Sequence, residues 1–249
     1  MRATASMFAN AEIDAICIDL DNTLWPIEEV IVRAEQVTFD WLADHYPRVT
    51  SRHDIESLRL VGKRIAAQLP HLRHDLSHLR KLAFVDIATE CGYGPELADR
   101  AFEVFFAARC EVSCYADVEP GLSRLAAAYP LLALTNGNAC LDRCGVARYF
   151  VGCVYARDVG AAKPGVEIFA AAARQLGLNP AAILHVGDDP VADVGGAAAA
   201  GMQTVWLNRS GQPWQLSECV PDGQARDFDE LLQLLGVAAA DAAGSASVR

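Results

Sequence analysis

The chain has no run approaching 18 consecutive apolar residues, so no membrane-spanning helix and no membrane partner are expected. Its first twelve residues carry one arginine and no apolar central segment, so no secretory leader is expected, and the expected compartment is the cytoplasm. Eight cysteines are present but none forms a C-x-x-C pair: Cys110/Cys114 and Cys140/Cys144 are each separated by three residues. That spacing argues against a structural zinc site or a disulfide framework and for reduced thiols. Basic charge is short as well. With 21 Lys and Arg against 32 Asp and Glu the net charge is −11, which disfavours nucleic acid, whose binders present a basic face. No internal repeat is present.

The 249 residues are 52% apolar, enough to bury one large domain or a core with a smaller insertion. Short apolar runs at 15–20, 131–135, 151–155, 183–187 and 204–207 read as strands. Ala-rich patterns at 119–128, 165–176 and 190–200 read as helices between the later ones. This alternation implies right-handed βαβ units and a parallel sheet. The long stretch between the first two strands gives no strand signal. It reads as helices near 27–46, 54–68, 72–91 and 95–111, with Gly92-Tyr93-Gly94-Pro95 breaking the last pair. The expected fold class is therefore α/β, a doubly wound, Rossmann-like parallel sheet with an inserted all-helical cap. The core would be 12–25 and 112–236, the cap 26–111, and the flexible termini 1–11 and 237–249. A last helix is expected at Asp227–Leu235 with Asp227 as its N-cap, and disorder from Ala238 to Arg249.

Four strand ends carry chemistry. The first, Asp19-Leu20-Asp21-Asn22-Thr23, follows the apolar Ala15-Ile16-Cys17-Ile18 and puts two carboxylates where open α/β sheets bind ligands. One such acid can attack while the other trades a proton, although acids there also cap helices. The second, Thr135-Asn136-Gly137-Asn138, offers donors to an anion, or is an ordinary turn. The third, Lys163-Pro164, precedes a helix that Pro164 would start, which aims Lys163 away from it; a solvated surface lysine is the alternative. The fourth is Gly187-Asp188-Asp189-Pro190 with Asp193 beyond, where Asp189 and Asp193 also read as caps. If the strand before Asp188 neighbours the first, then Asp19, Asp21 and Asp188 converge as hard oxygen ligands of a kind suited to Mg²⁺.

This set (DxDxT, Thr-Asn, Lys-Pro, GDxxxxD) resembles the haloacid dehalogenase superfamily over about residues 12–235, with a helical cap inserted between the first two motifs. The strings Thr135–Ala139, Leu184–Asp189 and Asp193–Ala197 with Gly201–Gln203 are similar to a narrower group, the bacterial flavin mononucleotide phosphatases (YigB type). Those enzymes also act on the phosphoribitylamino-pyrimidine precursor of riboflavin. The resemblance implies Asp19 as the nucleophile forming an aspartyl-phosphate, and Asp21 as acid and then base. It implies Asp19, the Asp21 carbonyl and Asp188 as Mg²⁺ ligands. Thr23, Thr135, Asn136 and Lys163 would hold the phosphoryl oxygens, with Asp189 and Asp193 supporting from behind. Members that release halide usually lack the second aspartate, so Asp21 favours phosphate.

The expected substrate is thus a small phosphate monoester, flavin mononucleotide or the riboflavin precursor. Another sugar phosphate, phosphoglycolate or nucleotide, a sugar-phosphate mutase activity, or a non-catalytic phosphate-binding role remain open, for a monomer or weak homodimer. Residues 52–81 hold seven basic residues against three acids, locally +4, and suit an anionic substrate. His71, His74 and His78 would share one helical face, either lining the site or simply solvated. Trp25 would stack on a flat ring such as a flavin, or else pack the hinge into the cap.

Overall fold

The sequence Ala-Ile-Cys-Ile of β1 (Ala15–Ile18) is buried on both faces, and only a central strand of a covered sheet meets that condition. In the computed structural model, which describes residues 12–237, β1 lies between β2 (Leu131–Thr135) and β4 (Ile183–Gly187). The other strands are β3 (Gly152–Tyr155), β5 (Gln203–Leu207) and β6 (Gly223–Ala225). The order is β3-β2-β1-β4-β5-β6 and every pairing is parallel. Ile16 stands opposite both Leu131 and Leu184, so the carboxyl ends of the three middle strands are level. The order reverses beside β1, and the crevice outside such a switch point is where open α/β sheets bind ligands.

Strand alternation sends Ile16 and Ile18 to one face and Cys17 to the other. On the first face Ile16 and Ile18 share a core with Leu122, Phe228 and Leu232. On the second, Cys17 packs with Leu134, Phe169 and Ala172. The result is a three-layer domain.

The helical insertion comprises α1 (Ile27–His45), α2 (Pro47–Thr50), α3 (Ile55–Gln68), α4 (Leu76–Glu90) and α5 (Glu96–Arg109). It has its own apolar cluster, with Leu42, Val61, Phe84, Ile87 and Ala101. Asp54 and Ser57 form a capping box at α3. Asp75 caps α4 by accepting from the His78 amide at 2.9 Å. That cap and the preceding 3₁₀ turn Pro70–Leu72 begin α4 at Leu76, four residues later than the sequence suggested. His71 and His74 therefore lie off the helix, and the three histidines do not share a face.

The remaining helices flank the sheet: α6 (Val118–Ala128), α7 (Ala156–Val159), α8 (Val166–Leu176), α9 (Gly196–Ala199) and α10 (Phe228–Leu235). A π-helical segment, Pro190–Gly195, occupies half of the single helix expected at 190–200. Pro164 does not open α8; Gly165 is its N-cap. Asp227 caps α10 as expected, accepting from the Glu230 amide at 2.8 Å. β6 was not anticipated, because Gly-Gln-Ala has no strand pattern and gains its geometry from pairing with β5. Val237, assigned to the tail, is tied back by its N–H to Leu232 O. Residues 1–11 and 238–249, expected to be flexible, lie outside the described residues. No helix of the described residues is long and apolar enough to cross a membrane.

Asp117 joins three parts of the core. Its carboxylate accepts from Arg209 at 3.1 and 3.0 Å and from the Phe228 amide at 2.9 Å. Burial pushes its carboxyl up, but Arg209 and that amide outweigh burial and hold it below its ordinary value. Asp117→Ala should cost about 1.5–3 kcal/mol in urea unfolding. A lowered folded value adds stability above the ordinary carboxylate range and loses it as pH falls, so the difference from wild type should shrink below about pH 3–4. Equal midpoints at pH 7 would dismiss the role.

Candidate active site

At the end of β1 the Asp19 amide donates to Val186 O of β4 at 2.9 Å, which fixes this carboxylate between two strand ends. Lys163 reaches it from the loop before α8. Its Nζ donates to Asp19 Oδ1 and to Asp193 Oδ1, each at 2.6 Å, and all three groups are buried. Burial alone would discharge the lysine; the two carboxylates instead hold its ammonium above its ordinary pKa. The surface-lysine alternative is thereby excluded.

Asn136 sets the lysine's position. Its amide brackets the Lys163 backbone, accepting from the Lys163 N–H at 2.7 Å and donating to its carbonyl at 3.0 Å. It is a support for Lys163 and not the free phosphate donor expected. Thr135 is buried, and its Oγ accepts from the Gly137 amide at 2.9 Å, leaving its own hydroxyl proton to donate.

Asp193 also accepts from His185 Nε2 at 2.9 Å and from the Asp189 amide at 2.9 Å. Burial would raise it, but the Lys163 charge and the His185 hydrogen bond hold it well below the carboxylate range. His185 itself is kept neutral by burial, with Nε2–H toward Asp193. Gly187 is required here: a Cβ on it would lie 2.2 Å from Asp193 Cγ. Asp189 spends its carboxylate on the Val191 and Ala192 amides at 2.8 and 2.7 Å and is a helix cap, not a site acid.

Asp188 is half-buried at the end of β4. Burial and the neighbouring Asp193 push it up to about 7. Thr23, buried, donates to it at 3.3 Å, so the hydroxyl expected on phosphate is engaged with Asp188. Oxygens of Asp19, Asp188 and Asp193 lie within 4.8 Å of one another. Burial drives Asp19 well above its ordinary value, and Lys163 offsets only part of that. Three carboxylates against one ammonium, all hard oxygen donors, fit a divalent cation such as Mg²⁺. Asp193 already satisfies Lys163, His185 and an amide, which leaves Asp19 and Asp188 as the side chains facing such an ion.

Asp21 has a different environment. Its carboxylate accepts from Trp25 Nε1 at 2.8 Å and from Arg109 Nη2 at 2.6 and 2.8 Å. Trp25 is wholly buried, so its ring has no face for a flavin; its indole N–H orients the acid. Arg109 was missed by sequence reasoning. Its signal was a lone arginine ending the apolar run Phe105-Phe106-Ala107-Ala108, and its Nη1 is buried without a partner among the described residues. Gly137 closes over the acid, and a Cβ there would sit 2.5 Å from Asp21 Oδ2.

A cavity of about 570 Å³ runs from Asp21, Arg109, Gly137 and Asn138 into the cap. Asn138 Nδ2 donates to Ser77 of α4 at 3.1 Å, a direct tie between core loop and cap. None of His71, His74 and His78 lines the cavity; Glu35, Arg59, Lys63 and Arg80 do.

With this geometry in hand the family is decided: a model of the haloacid dehalogenase-like hydrolases matches residues 13–201, and the chain belongs to that family. It is an enzyme, a hydrolase whose curated relatives include phosphatases. One is the 5-amino-6-(5-phospho-D-ribitylamino)uracil phosphatase YigB of Escherichia coli (strain K12), 32% identical over 78% of this chain and 83% of its own length. Another is a phosphoserine phosphatase of Thermus thermophilus, 33% identical over 61% of this chain and 63% of its own length. Among solved structures, a 2-haloacid dehalogenase from Pseudomonas syringae pv. Tomato DC3000 is 35% identical with a TM-score of 0.84, covering 90% of this chain and 98% of that one.

Gly137→Ala should leave the fold intact by circular dichroism. It should lower kcat/KM for hydrolysis about 10²-fold by displacing the Asp21 carboxylate. Unchanged turnover would show that Asp21 tolerates the displacement.

Proposed function

We propose that the enzyme is a Mg²⁺-dependent phosphomonoesterase working through an aspartyl-phosphate on Asp19, with flavin mononucleotide or the phosphoribitylamino-uracil precursor of riboflavin as substrate. The carrying observation is the pair of acids two residues apart in opposite settings. Asp19 is buried against Lys163, while Asp21 faces the cavity and is oriented by Trp25 and Arg109. One position suits in-line attack, and the other suits proton transfer at the leaving oxygen.

Asp19 and Asp188, with the Asp21 carbonyl, would hold the Mg²⁺. A bound cation supplies positive charge to the phosphoryl oxygens, whose charge must be met in place for a reaction needing up to ~10²¹-fold acceleration. The chain's own residues do the rest. Lys163 and the Thr135 hydroxyl meet the phosphoryl group from the opposite side. Asp21 gives a proton to the departing alkoxide, then takes one from the water that attacks phosphorus, releasing inorganic phosphate and the Asp19 carboxylate. Asp193 and Asn136 keep Lys163 aimed throughout.

The dehalogenase likeness is weighed by the same pair. Halide departs without a proton, so a dehalogenase has no use for an oriented acid at position 21. The riboflavin-type substrate rests on the relative that acts on a ribitylamino-uracil phosphate.

Asp19→Asn should abolish phosphate release from every phosphomonoester. Asp21→Asn should slow it ~10²–10⁴-fold while Mg²⁺ affinity by calorimetry stays near wild type, because its metal contact is backbone. Chelation should stop turnover and added Mg²⁺ restore it. Turnover by Asp19→Asn, or chloride release from 2-chloropropionate exceeding phosphate release from all phosphates tested, would overturn the reading.

A further inference from the structure

Glu35 of α1, Arg59 of α3, Arg80 of α4 and Phe105 of α5 meet on the wall of the cap cavity. Arg59 Nε donates to Glu35 Oε2 at 2.6 Å, which fixes that carboxylate. The other oxygen, Oε1, is 3.9 Å from Arg80 Nη1, beyond hydrogen-bond reach. The Arg80 guanidinium lies 3.6 Å over the Phe105 ring, so stacking sets its plane. Among the described residues it makes no hydrogen bond within 3.5 Å. Burial, with the Arg109 charge behind it, pushes Arg80 down to about 10, against the pull of Glu35. An acceptor held by one neighbour and a donor held by another thus stand side by side with capacity unspent.

The walls around them are apolar: Ile31, Phe39, Leu58 and Phe84. Thr38, also on the wall, spends its hydroxyl on Ala34 O at 2.7 Å. Phe105 is one helical turn, about 6 Å of rise, from the Arg109 that grips Asp21. A short polar chain therefore has room between the reacting phosphoryl group and whatever Arg80 and Glu35 recognise.

We infer that Arg80 and Glu35 are specificity-determining residues that read a carbonyl beside a ring N–H, the edge of an imide or lactam, on the leaving group of the substrate. The carbonyl accepts from Arg80, and the N–H donates to Glu35 Oε1. The flat ring lies between the aliphatic and aromatic walls. A leaving group without the N–H would leave Glu35 Oε1 unmatched, so the pair favours the imide edge over a plain polyol. The assignment rests on the phosphatase reading for the location of the phosphoryl end.

The test compares flavin mononucleotide with ribitol 5-phosphate, which share the phosphate and polyol and differ in the imide ring. In Arg80→Met and in Glu35→Gln the ratio of their kcat/KM values should fall about tenfold or more, the loss expected when a charged hydrogen-bond partner is removed. Riboflavin, which has no phosphate, gives a readout free of turnover: its fluorescence titration should show about tenfold weaker binding to each variant. Methylation of the riboflavin ring N–H should weaken binding to wild type by a similar factor and leave Glu35→Gln indifferent. An unchanged ratio, or equal sensitivity of wild type and Glu35→Gln to that methyl group, would overturn the inference. If no phosphomonoester is hydrolysed, the phosphatase reading fails separately, and the riboflavin titrations still decide the recognition of the ring.

Discussion

The arrangement at the sheet edge depends on one buried ammonium. Lys163 sits between Asp19 and Asp193 at 2.6 Å from each, out of water. Two carboxylates and a lysine transferred singly into that environment would each cost several kcal/mol. Together they are tolerable only because the geometry is tight and the spare lone pairs are used. His185 and the Asp189 amide complete Asp193, and the Asn136 amide clamps the lysine's backbone. The absence of a side chain at Gly187 lets Asp193 come this close to β4. Removing any one of these leaves a buried charge under-satisfied, which costs more than the lost contact itself. The strand ends are thus held by electrostatics that a parallel sheet with β1 beside β4 brings together.

A second constraint couples that edge to the cap. Asp21 belongs to the core loop, yet one of its partners, Arg109, is the last residue of the last cap helix. The other, Trp25, closes the loop from the core side. Around them the two chain crossings are pinned: the Tyr115 amide donates to Leu24 O at 2.9 Å, and Arg209 donates to Thr23 O at 3.1 Å while lying over Tyr115. Arg33 of α1 reaches the carbonyls of Ala108 and Glu111, binding the end of α5 to the start of α1. A shift of the cap therefore moves Arg109 against a carboxylate that Trp25 holds still. The orientation of the acid and the position of the cap are one variable.

Much of this was legible in the sequence, and unevenly so. Strand ends declare themselves because apolar runs stop at polar residues with few conformational choices, and Asp19, Thr135 and Asp188 were found at such stops; Lys163, expected at a fourth, lies instead in the loop between α7 and α8. The partners of those residues were not found, because a hydrogen bond between residues 136 and 163, or between 23 and 188, leaves no local pattern. Thr23 and Asn136 were assigned to substrate by the family resemblance, which marks motif residues and not the partners they take in this chain. Trp25 shows the limit of residue-type reasoning: an aromatic ring near a site suggests stacking, but packing buried its faces and left only its N–H in use. The histidine row failed on a boundary, since Asp75 was a better cap than any residue before Leu72, and a shift of four residues dissolves a helical face. β6 has no signal of its own at all, being a strand only by virtue of β5.

The core and the cap solve different electrostatic problems. At the sheet edge three carboxylates oppose one lysine, so that edge alone repels a phosphate dianion until a divalent cation reverses the balance. In the cap, Glu35 is matched by Arg59 and Arg80, and the Arg80 plane is set by an aromatic ring instead of by an acid. On the proposed reading a leaving group would be selected by hydrogen-bond direction and shape, which salt screens weakly, and the phosphoryl group by charge, which would depend on the metal. Asp21–Arg109 and the Asn138–Ser77 bond join the two halves, alongside Val30 of α1 in the core cluster and Arg143 over the Phe106 ring, yet the Glu35–Arg80 wall shares no residue with the Asp19–Lys163–Asp193 cluster. Such a division of labour accords with relatives about a third identical to this chain carrying names as different as phosphoserine phosphatase and haloacid dehalogenase.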